Sequence, residues 1–136
     1  MIKVVADTNV FVSSFFGGNP GKIIDRWKAG DIHLCLSGEI INEYIEVLRR
    51  MGLQDEKELD ELLDLFARGF HIIFAANPPR LNLIEADPDD NKFIECAVAL
   101  KADAVISGDK AVLGLGSYMG IKIVTPKTFL DQFPFE

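Results

Sequence analysis

Short β-rich runs alternating with helix-period segments constrain this chain more than any other feature of it. Ile2–Ala6 (IKVVA) is an apolar run without helical period, ending on Asp7-Thr8-Asn9, residues suited to turns and caps. Further strand candidates are Ile32–Leu36, Phe70–Phe74, Ala104–Ile106 and Ile121–Val124. Between them lie helical segments. After a loop at Gly17-Gly18-Asn19-Pro20-Gly21, the residues Ile23, Ile24 and Trp27 predict a helix of about three turns, stopped by Gly30-Asp31.

Ser37 stands where an N-cap belongs, before a helix with Ile40, Ile41, Tyr44, Ile45, Val47 and Leu48 on one face and Glu39, Glu43, Glu46 and Arg50 on another. Asp55 and Glu58 form a capping-box-like start for a helix whose stripe is Leu59, Leu62, Leu63 and Phe66, ended by Gly69. Asp87-Pro88-Asp89-Asp90 precedes a strongly apolar helix from Asn91 to Lys101, and Pro126 opens a last short helix to Leu130. Strands alternating with helices imply right-handed parallel crossovers. The expected fold is therefore a three-layer α/β/α sandwich around a central, mainly parallel five-stranded sheet.

At 136 residues, 49% apolar and 26% charged, the chain reads as a single domain spanning residues 1–136. No run approaches the roughly 18 apolar residues of a membrane span, and the N-terminus enters a strand without a charged leader, so the expectation is a cytoplasmic protein without a membrane partner. Cys35 and Cys96 lack disulfide or metal-knuckle spacing and read as reduced core residues. His33 and His71 each begin a strand-like run and read as structural.

The formal charge of −7 argues against blanket electrostatic attraction to nucleic acid. It does not exclude a site in which divalent cations reverse the local sign. In an open parallel sheet the strand C-termini share one edge, along which ligands bind. Asp7 follows the first strand, Asp109 follows the fourth, and Asp90 starts a helix, so all three fall on that edge; Glu43 lies near it, in the helix after the second strand. Carboxylates gathered there repel unless a cation intervenes, and hard oxygen ligands suit Mg²⁺ or Mn²⁺.

Each acid also has a structural explanation. Asp7 suits a helix cap, Asp109 an ordinary turn, Asp87, Asp89 and Asp90 an acidic helix N-terminus, and Glu43 a solvated face. The chemical reading rests on their convergence.

The segments VVADTNVFVSSFF, LSGEIINEYIEVLRR, DPDDNKFIECAVALKADAVISGDKAVL and IKIVTPKTFL resemble the PIN domain over essentially the whole chain, and in particular its branch of toxins from toxin–antitoxin pairs. The strand leading into Asp-Thr-Asn, Ser37 with Glu43, Asp-Asn-x-Phe at Asp90 and Ser-Gly-Asp-Lys at Asp109 occur in the family's order. The resemblance implies that Asp7, Glu43, Asp90 and Asp109 form an acidic quartet for Mg²⁺ or Mn²⁺, with Thr8, Asn9, Ser37, Asp87 and Ser107 in supporting positions. It implies hydrolysis of single-stranded RNA, an antitoxin partner and a homodimer. A PIN-like module that binds RNA or a partner without cleaving remains the alternative.

Lys22, Arg26, Arg49, Arg50, Lys92 and Lys110 are candidate phosphate contacts. The Gly17–Lys22 stretch lacks P-loop spacing and Gly114-Leu115-Gly116 lacks a dinucleotide fingerprint. A receiver-type domain is disfavoured because the third strand leads into Ala75-Ala76-Asn77-Pro78, with no acceptor aspartate. The apolar stretch Phe129–Phe135 is expected to pack back on the domain, with an exposed remainder as a dimer or antitoxin contact.

Overall fold

A computed structural model describes residues 1–53 and 57–134. Its centre is the strand β1 (Ile2–Ala6), flanked on one side by β2 (Ile32–Ser37) and β3 (Ile72–Ala75) and on the other by β4 (Ala104–Ile106), β6 (Ile121–Val124) and β5 (Ser117–Tyr118). The order β3-β2-β1-β4-β6-β5 is parallel throughout except for the β5–β6 pair. Helices flank this sheet in an α/β/α arrangement, as expected. The sheet has six strands, not five: β5 is a two-residue antiparallel edge, too short to leave a sequence period.

The central strand is buried on both faces, with Val4, Val5 and Ala6 fully enclosed, which explains why it reads as a continuous apolar run. Over the sheet lies α5 (Asn91–Leu100), in contact with β1, β2, β3 and β4. The helix α2 (Gly18–Lys28) packs on β2 and on α7 (Pro126–Gln132), and α7 also contacts β4. Fully buried Trp27 on α2 donates its indole N–H to the Phe70 carbonyl at 3.0 Å, so its large apolar area is enclosed without an orphaned donor.

Local readings needed several corrections. Asn19, Pro20 and Gly21 lie inside α2 rather than in a loop, because proline in a first helical turn forfeits no intrahelical hydrogen bond. A helix α1 (Thr8–Ser13) follows β1 directly, with Asp7 as its N-cap; its β-branched sequence TNVFVS hid it. The third strand begins at Ile72, after a His71 in the left-handed region (φ 45°) that breaks the extended run. In α4 (Lys57–Arg68), Leu59 and Leu62 are buried and Leu63 is exposed. The capping-box reading rests on Asp55 and the Glu58 side chain, which lie outside the described residues.

Arg26, a candidate phosphate contact, is instead buried within the fold. Its guanidinium binds Asp31 (2.6 and 2.7 Å), donates to the Phe133 carbonyl and lies 5.4 Å from the centre of the Phe129 ring. Together these contacts tie α2 to the end of α7, and Phe129, fully buried, stacks on Phe133 at 4.9 Å. The C-terminal stretch therefore packs back as far as it is described. We predict that Arg26→Leu, which leaves Asp31 without its partner, lowers unfolding free energy by about 2 to 4 kcal/mol in urea titrations, whereas a phosphate-binding role predicts a change in RNA affinity with stability intact.

Candidate active site

The strand order reverses at β1: the chain proceeds outward through β2 and β3, then returns to the other side of β1 to lay down β4. Ligands of open parallel sheets bind at such a reversal, beyond the strand C-termini. Here the register pairs Ala6 with Ile106, and the Asp7 amide donates to the Ile106 carbonyl at 3.0 Å, so Asp7 and Ser107 leave adjacent strands side by side.

A cleft of about 200 Å³ opens above them, lined by Asp7, Thr8, Asn9, Glu43, Val47, Asp87, Asp90, Phe93 and Asp109. All four acids of the expected quartet thus reach one cavity. Larger depressions occur elsewhere, including one of about 590 Å³ beside Lys22 and Glu61, but none of those is lined by members of the quartet.

Each acid arrives by a different device. Asp7 is buried and caps α1, accepting from the Val10 amide at 2.9 Å through Oδ1 and from the Ser107 hydroxyl through Oδ2. Burial pushes its carboxyl above the usual aspartate range, and the Ser107 and Val10 hydrogen bonds work against that rise. Asp109 caps the short helix α6 (Lys110–Leu113), accepting from the amides of Ala111 and Val112 at 2.8 and 3.4 Å. Ser107 joins the two acids, since its hydroxyl donates to Asp7 and accepts from the Asp109 amide at 3.0 Å.

Glu43 projects from α3 (Gly38–Arg50). Its Oε2 accepts from the Thr8 hydroxyl, and its Oε1 lies 2.6 Å from Lys92 Nζ. The next residue fixes its height: the buried Tyr44 hydroxyl donates to the Ala6 carbonyl, and the Tyr44 ring stacks on Phe11 at 4.1 Å, so α3 is bolted to the end of β1. Sequence reasoning placed Tyr44 only in an apolar stripe. Its hydroxyl partner lies 38 residues away and leaves no periodic signal.

Asp90 ends a short 3₁₀ turn (Pro88–Asp90) and makes no capping hydrogen bond. Its Oδ2 is buried without a partner, the sole such side-chain atom among the described residues. Burial first, and then the charges of Asp87, Asp109, Asp7 and Glu43, push its carboxyl up to about 6. The loop before it is held by Asn91, which the sequence reading placed only in the Asp-Asn-x-Phe motif and at a helix start. The Asn91 carboxamide accepts from the amides of Leu83 and Ile84 (3.0 and 2.9 Å) and donates to the carbonyls of Ile84 and Pro88 (3.3 and 3.0 Å).

Of the supporting candidates, Thr8, Asn9 and Asp87 line the cleft, and Ser107 lies beneath it. Ser37 does not line it; it caps α3 through the Ile40 amide at 3.4 Å and so acts on Glu43 only through the helix start. Arg49, Arg50 and Lys110 are exposed, and Lys92 is engaged by Glu43. Cys35 and Cys96 are buried with thiols pushed up to about 12, inert core residues as expected.

Among the described residues no three His, Cys, Asp or Glu side chains already stand in metal-binding geometry. The donor set nevertheless fits a hard divalent cation: all-oxygen, multiply anionic, and with one buried carboxylate oxygen lacking any partner.

An open parallel sheet carrying acids at its reversal point is the architecture of a class of ligand-binding and hydrolytic α/β domains. This chain belongs to the PIN-domain family, whose model matches residues 3–111 and whose members are typically metal-dependent nucleases. It is also similar to the uncharacterized protein MJ1680 of Methanocaldococcus jannaschii, at 36% identity over 146 aligned positions covering 97% of this chain and 92% of the relative.

Because ionised Asp90 is disfavoured in the folded chain, its contribution to stability is greatest below about 3.8 and is lost as pH rises through about 6. In chelator, Asp90→Asn is expected to match wild type near pH 4 and to exceed it by about 1 kcal/mol above pH 7, a figure reduced for solvent screening. Thermal melts across that range check it; a wild type as stable as the variant at neutral pH contradicts it.

Proposed function

We propose that this chain is a metal-dependent endoribonuclease, with residues 1–136 as one nuclease domain and Asp7, Glu43, Asp90 and Asp109 as the ligands of Mg²⁺ or Mn²⁺. The observation that carries the reading is the meeting of four carboxylates from four separate elements in one cleft at the sheet's reversal point. Burial, and after it the charges of the neighbouring acids, raise the Asp90 carboxyl, and both are costs of an ionised carboxylate that a divalent ion offsets.

When bound, the ion supplies acidification of an attacking water and neutralises charge on the phosphate and leaving oxygen. The side chains do the positioning. Ser107 fixes the spacing of Asp7 and Asp109, Thr8 orients Glu43, and Asn91 sets the loop that delivers Asp87 and Asp90. No Ser, Cys or His nucleophile is required, and the cleft lining includes neither Cys nor His. Exposed Arg49, Arg50 and Lys110 are the candidate contacts for the phosphates of single-stranded RNA.

The same reading extends to a toxin of a toxin–antitoxin pair, acting in the cytoplasm as a homodimer. No helix among the described residues is long and apolar enough to cross a membrane.

The test is cleavage of end-labelled single-stranded RNA with Mg²⁺, Mn²⁺ or chelator. Wild type is expected to cut only with metal, and Asp7→Asn to lose more than about a hundredfold in rate, beyond the effect of removing an outer-shell partner. Clean, folded protein that binds metal and RNA yet leaves every substrate intact replaces this reading with the non-cleaving module. A toxin role further predicts that expressing wild type, but not Asp7→Asn, arrests growth.

A further inference from the structure

Lys92 stands in the first turn of α5, where the positive end of the helix dipole disfavours a cation. What holds it there is tertiary. Its Nζ lies 2.6 Å from Glu43 Oε1 and 5.9 Å from the centre of the Phe93 ring, and its side chain is only 13% exposed, against 25% for Glu43. A half-buried pair of this kind is screened far less than a surface ion pair. Five acids line the cleft, Asp7, Glu43, Asp87, Asp90 and Asp109, and its lining contains no lysine or arginine. Lys92 reaches one of those acids from the flank.

The two oxygens of Glu43 have different partners. Oε2 takes a neutral hydroxyl from Thr8, which a cation on the other oxygen does not disturb. Oε1 takes an ammonium, and one carboxylate oxygen cannot hold a monovalent ammonium and a divalent ion together without strong repulsion between them.

We propose that Lys92 is a tethered counter-cation: it neutralises Glu43 until a divalent ion takes that carboxylate, and the Lys92–Glu43 pair and ion binding exclude one another. This rests on the reading of Glu43 as a metal ligand. Part of the ion's binding energy is spent on breaking the pair, so Lys92 sets the divalent concentration at which the cleft fills. Before that, Lys92 spares the protein the cost of an unpaired, half-buried carboxylate.

Calorimetric titration of the whole chain with Mn²⁺ tests this in wild type, Lys92→Met, Lys92→Gln and Lys92→Arg. Both neutral variants are expected to bind Mn²⁺ about tenfold more tightly than wild type, equivalent to about 1.4 kcal/mol, while arginine, which keeps the charge, stays near wild-type affinity. In chelator the neutral variants melt below wild type, and saturating Mn²⁺ restores more stability to them than to wild type. Folded neutral variants that bind Mn²⁺ no more tightly than wild type overturn the counter-cation role and leave the metal reading standing. If neither wild type nor any variant binds Mn²⁺, the metal reading itself falls and this proposal with it.

Discussion

The register of β1 against β4 is the constraint on which the cleft depends. Pairing Ala6 with Ile106 makes the next residue on each strand, Asp7 and Ser107, leave the sheet together, and the Asp7 amide extends the ladder by one more bond to the Ile106 carbonyl. A slip of one residue reverses which face each side chain meets and separates the Ser107 hydroxyl from Asp7. That register is enforced by burial rather than by the polar residues themselves, because Val4, Val5, Ala6, Ala104, Val105 and Ile106 are all fully enclosed. The edge that carries the cleft is thus specified by buried apolar residues that do not line it.

The acids show how a residue with a structural role can also line the cleft. Asp7 does cap a helix, as its bland explanation held, and Asp109, expected only as a turn residue, caps one as well; the capping amides fix Oδ1 of each. Asp90 caps nothing, and its buried oxygen has no partner. A cap is a structural role that a well-placed alanine-to-aspartate change gains; a half-buried carboxylate with an orphaned oxygen is a cost that folding alone does not explain. Of the four, Asp90 therefore separates most clearly from a purely architectural account.

Strand and helix periods were legible because they record which side of each element faces the apolar core, a property each segment carries by itself. The order of the quartet was legible from family motifs. What escaped were features decided by partners distant in the chain or by very short elements. The β5 pair and α6 are too short for a period, α1 is written in β-branched residues, and Tyr44 and Asn91 disclose their roles only through carbonyls and amides elsewhere in the fold. Glu95 is a further instance. It lies buried in a helix whose sequence reads as apolar, its carboxylate accepting from the Leu81 amide at 2.8 Å.

Glu95 and Asn91 together explain how a segment without regular structure can deliver two of the cleft's acids. Between Ala75 and Pro88 the chain forms neither helix nor strand, so its backbone groups need partners from elsewhere. Asn91 satisfies three of them and also the Pro88 carbonyl of the following 3₁₀ turn, and Glu95 satisfies a fourth, from successive turns of α5. Because α5 itself lies against β1 to β4, the loop is referenced to the same strands that present Asp7 and Asp109. The two halves of the cleft, one leaving the sheet directly and one returning through a loop, are therefore held in a common frame, and Lys92, on the same helix turn as Asn91, ties Glu43 of α3 into it.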